Sequence, residues 1–263
     1  MYAFTLEQPK TLADAKRLTG GGAQALAGGQ TLIASLKQRL AQPGALVDLA
    51  GVAELRGIRR EGNSLVIGAM TRHEEVATSA DVKSSIPSLA ALAGGIGDRQ
   101  VRAMGTIGGS VANNDPAACY PSAVLALGAT IVTDRREIKA DDFFQGLYST
   151  ALESGELITA IRFPIPKKAA YAKFRQPASR FALVGVFVAL TDGGARVAIT
   201  GAGNGVFRHA GLEAALGKGF TPEAVQGVAI DASQLNADLH ASAEYRAQLI
   251  RVQTQRAVAA ANG

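Results

Sequence analysis

Two short segments of this 263-residue chain, Gly28-Gly29-Gln30-Thr31 and Thr106-Ile107-Gly108-Gly109-Ser110, each follow an apolar, strand-like run and set paired glycines beside hydroxyl side chains. Paired glycines let a backbone come close to another surface, and consecutive N–H groups with nearby hydroxyls can cradle an anion such as a phosphate. Taken singly, either segment reads as an ordinary turn. What surrounds them decides the fold class.

The surrounding periodicities are mixed. Phe4 and Leu6 alternate with polar neighbours as a short strand, and Thr11 is placed to cap a helix carrying Leu12, Ala15 and Leu18 on one face. Ala25–Ala27 reads as a buried strand, and an amphipathic helix runs on through Leu32, Leu36 and Leu40. Leu55–Ile58 and Leu65–Ile67 read as strands, and Thr71-Arg72-His73-Glu74 as a capping box. A helix spans 85–97, Pro121 opens another, and residues 129–133 and 157–163 are strands. Pro164-Ile165-Pro166-Lys167-Lys168 interrupts both periodicities and marks a boundary. Beyond it, 184–190 and 197–200 are strands, followed by helices near 208–216 and 244–261. No internal repeat is visible. The irregular mixture predicts an α+β protein in two parts.

Composition removes several functions. Cys119 is the single cysteine, which forbids an intrachain disulfide and fits a reducing, cytoplasmic setting. An iron–sulfur cluster needs several thiolates, and His73, His209 and His240 are scattered, so no metal centre is expected in this chain. The N-terminus shows no basic region followed by an apolar one, and no apolar run approaches a membrane span. The net charge is +5, but the basic residues are dispersed and aromatics make up only 5%, so no nucleic-acid platform is expected.

The two glycine segments carry more weight with their flanks. Ala27-Gly28-Gly29-Gln30-Thr31-Leu32 is followed by Gln100-Val101-Arg102 leading into Thr106-Ile107-Gly108-Gly109-Ser110. Then come Asp115-Pro116-Ala117-Ala118, Gly155-Glu156-Leu157-Ile158, Lys173-Phe174 and Ala182-Leu183-Val184-Gly185. This ordered set, spread over nearly the whole chain, resembles the FAD-binding (medium) subunit of the xanthine dehydrogenase and carbon monoxide dehydrogenase, or molybdenum hydroxylase, family. The resemblance implies a two-subdomain FAD-binding region of the vanillyl-alcohol-oxidase-like type, residues 1–165 with subdomains of about 1–57 and 58–165. A smaller C-terminal α+β domain would occupy 168–263.

The same resemblance implies the site. Leu26, Ala27, Gly28, Gly29, Gln30, Thr31, Leu32 and Ile33 would hold the FAD pyrophosphate. Thr106, Ile107, Gly108, Gly109 and Ser110 would wrap the phosphate and ribityl side. Ile158 matches a position lining the flavin, Lys173 a cofactor-contacting lysine, and Ile96 an apolar flavin neighbour. One departure stands out: relatives carry an aspartate where this chain has Cys119, so that contact is lost or passes to Tyr120 or Asp115. By its neighbours in sequence Cys119 reads as a small buried hydrophobe without cationic surroundings.

The implied function is electron transfer. A molybdenum-cofactor large subunit oxidises substrate, an iron–sulfur small subunit relays electrons, and FAD in this chain passes them to an external acceptor such as NAD, a quinone or oxygen. No side chain need act as acid or base. The alternatives are a stand-alone flavin-dependent reductase of related fold and an FAD-free structural subunit. Other signals point nowhere further. Gly201-Ala202-Gly203-Asn204-Gly205 imitates a dinucleotide fingerprint but has Val206 where its third glycine belongs, and reads as a strand-to-helix turn. His73, beside Glu74 and Glu75, reads as a surface residue. Asp141-Asp142 reads as strand neighbours facing opposite ways.

Overall fold

The computed structural model describes all 263 residues. Its first layer is a small parallel sheet in which Ala45–Asp48 lies between Thr5–Glu7 and Gln24–Leu26. Parallel neighbours need crossovers, and the helices Leu12–Gly20 and Leu32–Lys37 provide them. Thr11 caps the first as its sequence predicts, accepting from the Asp14 N–H at 3.1 Å. The second helix is shorter than its apolar spacing suggests: it ends at Lys37, and Leu40 is left 76% exposed.

The second sheet is antiparallel, with strands in the order Ile58–Glu61, Ser64–Gly68, Ile158–Pro164, Thr130–Thr133 and Glu137–Lys139. Leu55 ends a 3-10 turn instead of beginning a strand, so pairing starts at Ile58. The helices Pro87–Gly94 and Tyr120–Ala126 cover this sheet, and every residue of the latter is buried. The capping box lies one residue later than the sequence spacing suggests. Arg72 precedes the helix His73–Thr78, and its backbone N–H donates to Glu75 at 2.7 Å.

Pro164 ends a strand of the second sheet, and Lys168 begins one of the third. This third sheet runs Lys168–Arg175, Ala182–Thr191, Gly194–Thr200 and Phe207–Arg208, antiparallel throughout. Its second strand carries no polar side chain before Thr191 because both faces are covered. Val184, Val186 and Val188 pack toward Leu249, Ile250 and Val258 of the long helix Ala243–Asn262. Phe187 and Ala189 point the other way and join the core of the second sheet.

Gly201–Gly205 corrects one reading. The segment joins two antiparallel strands, Gly194–Thr200 and Phe207–Arg208, and does not enter a helix directly. Asp141 and Asp142 also depart from expectation, since they lie in the short helix Ala140–Phe143. Asp141 accepts from Arg196 and Arg208 at 2.8 and 3.1 Å, an ion-pair knot that ties this helix to the third sheet. No helix is long and apolar enough to cross a membrane.

Candidate functional site: a cofactor cleft between the glycine segments

A cleft of about 880 Å³ receives both glycine segments. It lies within the range of cofactor pockets, roughly 300–1,000 Å³. The segments also touch each other. A Cβ on Gly28 would stand 2.7 Å from the Gly105 Cα, and one on Gly109 would stand 3.1 Å from the Ala27 Cβ and 2.9 Å from Thr106 Oγ1. Closeness of this kind requires residues without side chains.

The two segments offer different chemistry. In the first, Gly29 takes φ +70°, its carbonyl accepts from the Ile33 N–H at 3.1 Å, and Gln30 Nε2 donates to the Gly28 carbonyl. The backbone N–H groups of Gly29, Gln30, Thr31 and Leu32 meet no acceptor within the chain. The second segment is the N-terminus of the helix Ile107–Asn113, not a free loop, and Thr106 caps it. The N–H groups of residues 107–110 are all engaged. Ile107 donates to the Thr71 carbonyl, Gly108 to that of Ala69, Gly109 to Thr106 Oγ1 and Ser110 to the Thr106 carbonyl. The open donors of an anion cradle therefore come from residues 29–32, while 106–110 contributes close packing and hydroxyl groups.

Most of the residues singled out by resemblance line this cleft. Leu26, Ile33 and Ile107 do not, and back the two segments from behind. Ile96 and Ile158 both border the cleft, Ile158 as the first residue of its strand. Lys173 reaches in from the third sheet. Its ammonium donates to the carbonyls of Gly95 and Arg180 at 2.8 and 3.1 Å and to Cys119 Sγ at 3.4 Å.

That last contact corrects the reading of Cys119. It is buried, at 5% exposure, as expected of a small hydrophobe. Yet a cation stands beside it, brought there by a strand 54 positions away in sequence. Of the two candidate stand-ins for the missing aspartate, Asp115 lines the cleft, accepting from the Ala117 N–H at 2.8 Å and from the Tyr148 hydroxyl at 3.4 Å. Tyr120 is fully buried, and its hydroxyl has no partner.

His73 is also unlike its sequence reading. It is 5% exposed, lines the cleft, and packs on the Tyr120 ring with centroids 5.3 Å apart. Burial, helped by the nearby Arg102 guanidinium, lowers its pKa to about 4, so the imidazole is neutral at pH 7.

Two cleft elements carry no signal in the sequence beyond ordinary turn residues. The hairpin tip at Tyr148 (φ +51°) is pinned by buried Asn114, whose amide donates to the carbonyls of Gly146 and Ser149 at 2.8 Å each. The turn at Arg180 (φ +64°) presents half-exposed Phe181. At the far end, Thr19 donates to the Gly155 carbonyl at 3.0 Å, joining the parallel sheet to residues 153–157. Glu156 anchors that stretch, its enclosed carboxylate accepting from Arg136, Thr133 and the Glu153 N–H.

Comparison with known proteins agrees with this geometry. The family described as the FAD binding domain in molybdopterin dehydrogenase matches residues 2–166. The carbon monoxide dehydrogenase medium chain of Hydrogenophaga pseudoflava is 37% identical, with 98% of this chain and 96% of that one covered. The glyceraldehyde dehydrogenase medium chain of Sulfolobus acidocaldarius is 34% identical over 97% of this chain and 96% of its own. Among solved structures, reconstituted CO dehydrogenase from Oligotropha carboxidovorans superposes with a TM-score of 0.92 at 35% identity, covering 99% of this chain and 98% of that one. With its cleft built from the same two glycine segments that set the resemblance, and with likeness running end to end, this chain belongs to the family of FAD-binding medium subunits of molybdenum hydroxylases.

Proposed function

We propose that the protein is the FAD-carrying electron-transfer subunit of a heteromeric molybdenum hydroxylase. It would take electrons from an iron–sulfur small subunit, which draws them from a molybdenum-cofactor large subunit, and deliver them to an external acceptor. The observation that carries this is the near-full-length likeness to medium chains of such dehydrogenases. Bound FAD supplies the redox chemistry itself. The chain's own task is to bind that cofactor, orient it and tune its surroundings.

The residues present fit FAD. Four open amides at Gly29, Gln30, Thr31 and Leu32 suit a pyrophosphate, and His73, whose buried Nδ1 has no partner, lines the same cleft. We assign the pyrophosphate to residues 26–33, and the phosphate and ribityl side to Thr106–Ser110. Ile158 would flank the flavin, with Lys173 and Cys119 on the wall it faces. Within this reading Leu26, Ile33 and Ile107 act by support. The FAD-binding region would span 1–165, in subdomains of about 1–57 and 58–165 of the vanillyl-alcohol-oxidase-like type. Residues 168–263 would form the smaller C-terminal α+β domain. The lone cysteine fits work in a reducing cytoplasm.

The test is anaerobic stopped-flow at the visible flavin band, comparing the FAD-loaded subunit alone with the same subunit plus its molybdenum and iron–sulfur partners. Aldehydes, purines, N-heterocycles and carbon monoxide should leave the lone subunit oxidised, and one of them should bleach it in the complex. Bleaching of the lone subunit by such a substrate would restore the stand-alone reductase. Failure to take up FAD at all would restore the structural subunit.

A further inference from the structure

His73 is held in place by two strands of backbone that reach each other across the cleft floor. Its own N–H donates to the Gly105 carbonyl at 2.9 Å, Arg72 bridges Thr106, and the Ile107 N–H donates to the Thr71 carbonyl at 3.0 Å. This lacing sets the imidazole against Gly105, where a Cβ would lie 2.5 Å from Nε2. The missing side chain of Gly105 is thus what leaves room beside that nitrogen. Gly28 packs on the same Met104–Gly105 backbone, so the open amides of residues 29–32 begin one residue away from this spot.

Neither ring nitrogen has a partner in the chain, and Nδ1 is wholly enclosed. A neutral imidazole carries one proton. On Nδ1 it would be a buried donor without an acceptor, which folded proteins almost never leave, whereas an enclosed lone pair is tolerated more readily. The proton therefore belongs on Nε2, toward the space that Gly105 keeps open. Burial, with Arg102 nearby, keeps the ring neutral. The Arg102 guanidinium itself is bonded to Glu74 and the Ile96 carbonyl, so it adds positive field without filling the space. A lone N–H donor beside open amides, in a positive field, suits an anionic oxygen.

We propose that His73 is a positioning residue that donates a hydrogen bond from Nε2 to a diphosphate oxygen of the dinucleotide held in the cleft. This rests on the FAD reading above and adds a contact from the helix His73–Thr78, outside both glycine segments.

The test uses the full chain with FAD, in wild type, His73→Leu and His73→Gln. His73→Leu should weaken FAD binding about tenfold, the scale of one hydrogen bond to a charged acceptor, while the apo protein melts as wild type does. His73→Gln, which keeps a terminal donor, should recover most of that loss. Two magnetic-resonance readouts stand apart from affinity. On wild type, the Nε2–H signal should move when FAD is added, and the phosphorus signals of bound FAD should differ between wild type and His73→Leu. Equal FAD affinity in wild type and His73→Leu, or an Nε2–H signal indifferent to FAD, overturns the proposal. Unchanged phosphorus signals would overturn the diphosphate as its acceptor. A wild-type chain that binds no FAD would overturn the cofactor reading itself, and with it this one.

Discussion

Gly28 meets Gly105 backbone to backbone, so that a Cβ on the first would stand 2.7 Å from the Cα of the second and overlap the Met104 carbonyl. Two turns that look alike in sequence are therefore one packed unit. Gly28→Ala should force them apart. The expected cost is about 1–3 kcal/mol, the range for overpacking a close-fitted site, together with loss of FAD on gel filtration. A variant with wild-type melting and full flavin would show that the two segments do not depend on each other.

Gly109 makes a sharper case, because it sits in the first turn of the helix Ile107–Asn113. There alanine is favoured over glycine by about 0.5–1 kcal/mol, while an added Cβ meets Thr106 Oγ1 and the Ala27 Cβ on the cleft side. Gly109→Ala should weaken FAD and leave thermal stability unchanged or slightly lowered, because the shift forced on the capping Thr106 Oγ1 offsets the helix gain. Gly109→Val should abolish FAD retention with the fold largely intact, as circular dichroism would show. Equal flavin occupancy in Gly109→Val and wild type would count against the assignment of this segment.

Two buried groups should set the acid limit of the apo protein, in different windows. The pKa of His73 falls from 6.5 to about 4 on folding, so the unfolded chain holds more protons between those values. Stability therefore rises with pH across that window, by on the order of 3 kcal/mol. Glu156 is pushed up by burial but pulled down further by Arg136, the Glu153 N–H and Thr133, to about 2 from 4.5. Its contribution is complete above pH 4.5 and is lost as pH falls toward 2. Urea melts across pH should show both slopes. His73→Leu should remove only the upper one and Glu156→Gln only the lower, and a slope that survives its own substitution would refute that attribution.

The parts of the site legible in sequence are those whose signal is local. The glycine pairs, the Thr11 cap and the apolar run of 184–190 each declare a turn, a helix start or a strand through their own neighbours. His73 could not be read that way. Glu74 and Glu75 make its surroundings look solvated, and what buries it is backbone from residues 105–107 folding over it. The same limit hid the cation beside Cys119, which arrives from another sheet. The amides of Ile107 and Gly108 looked like open donors because their acceptors, at Thr71 and Ala69, belong to a segment more than 30 residues earlier. Asp141 and Asp142 misled by secondary structure alone, since the sequence there does not separate a strand from a single helical turn.

Lys173 is the piece on which the far wall depends. An ammonium has three donors and no acceptor, and here they reach Gly95, Arg180 and Cys119, on three different segments. Lys173→Met should leave two carbonyls short of a donor, costing about 1–3 kcal/mol. It should also loosen the turn that carries Arg180 and Phe181 and weaken FAD. Cys119→Asp tests the other side of the contact. A carboxylate at this position would pair with the ammonium already in place, so the cost of burying it is offset. If it also reaches the cofactor as the family's aspartate does, FAD should tighten by about 1–2 kcal/mol. That gain should vanish when Cys119→Asp is combined with Lys173→Met, because the carboxylate would then be buried without its cation, and the double variant should melt below either single one. The measurement is a double-mutant cycle on the FAD dissociation constant and on thermal stability. Additive effects would mean that Lys173 and Cys119 act independently despite their contact, and an unchanged dissociation constant in Cys119→Asp would leave Asp115 as the carboxylate that serves this cleft.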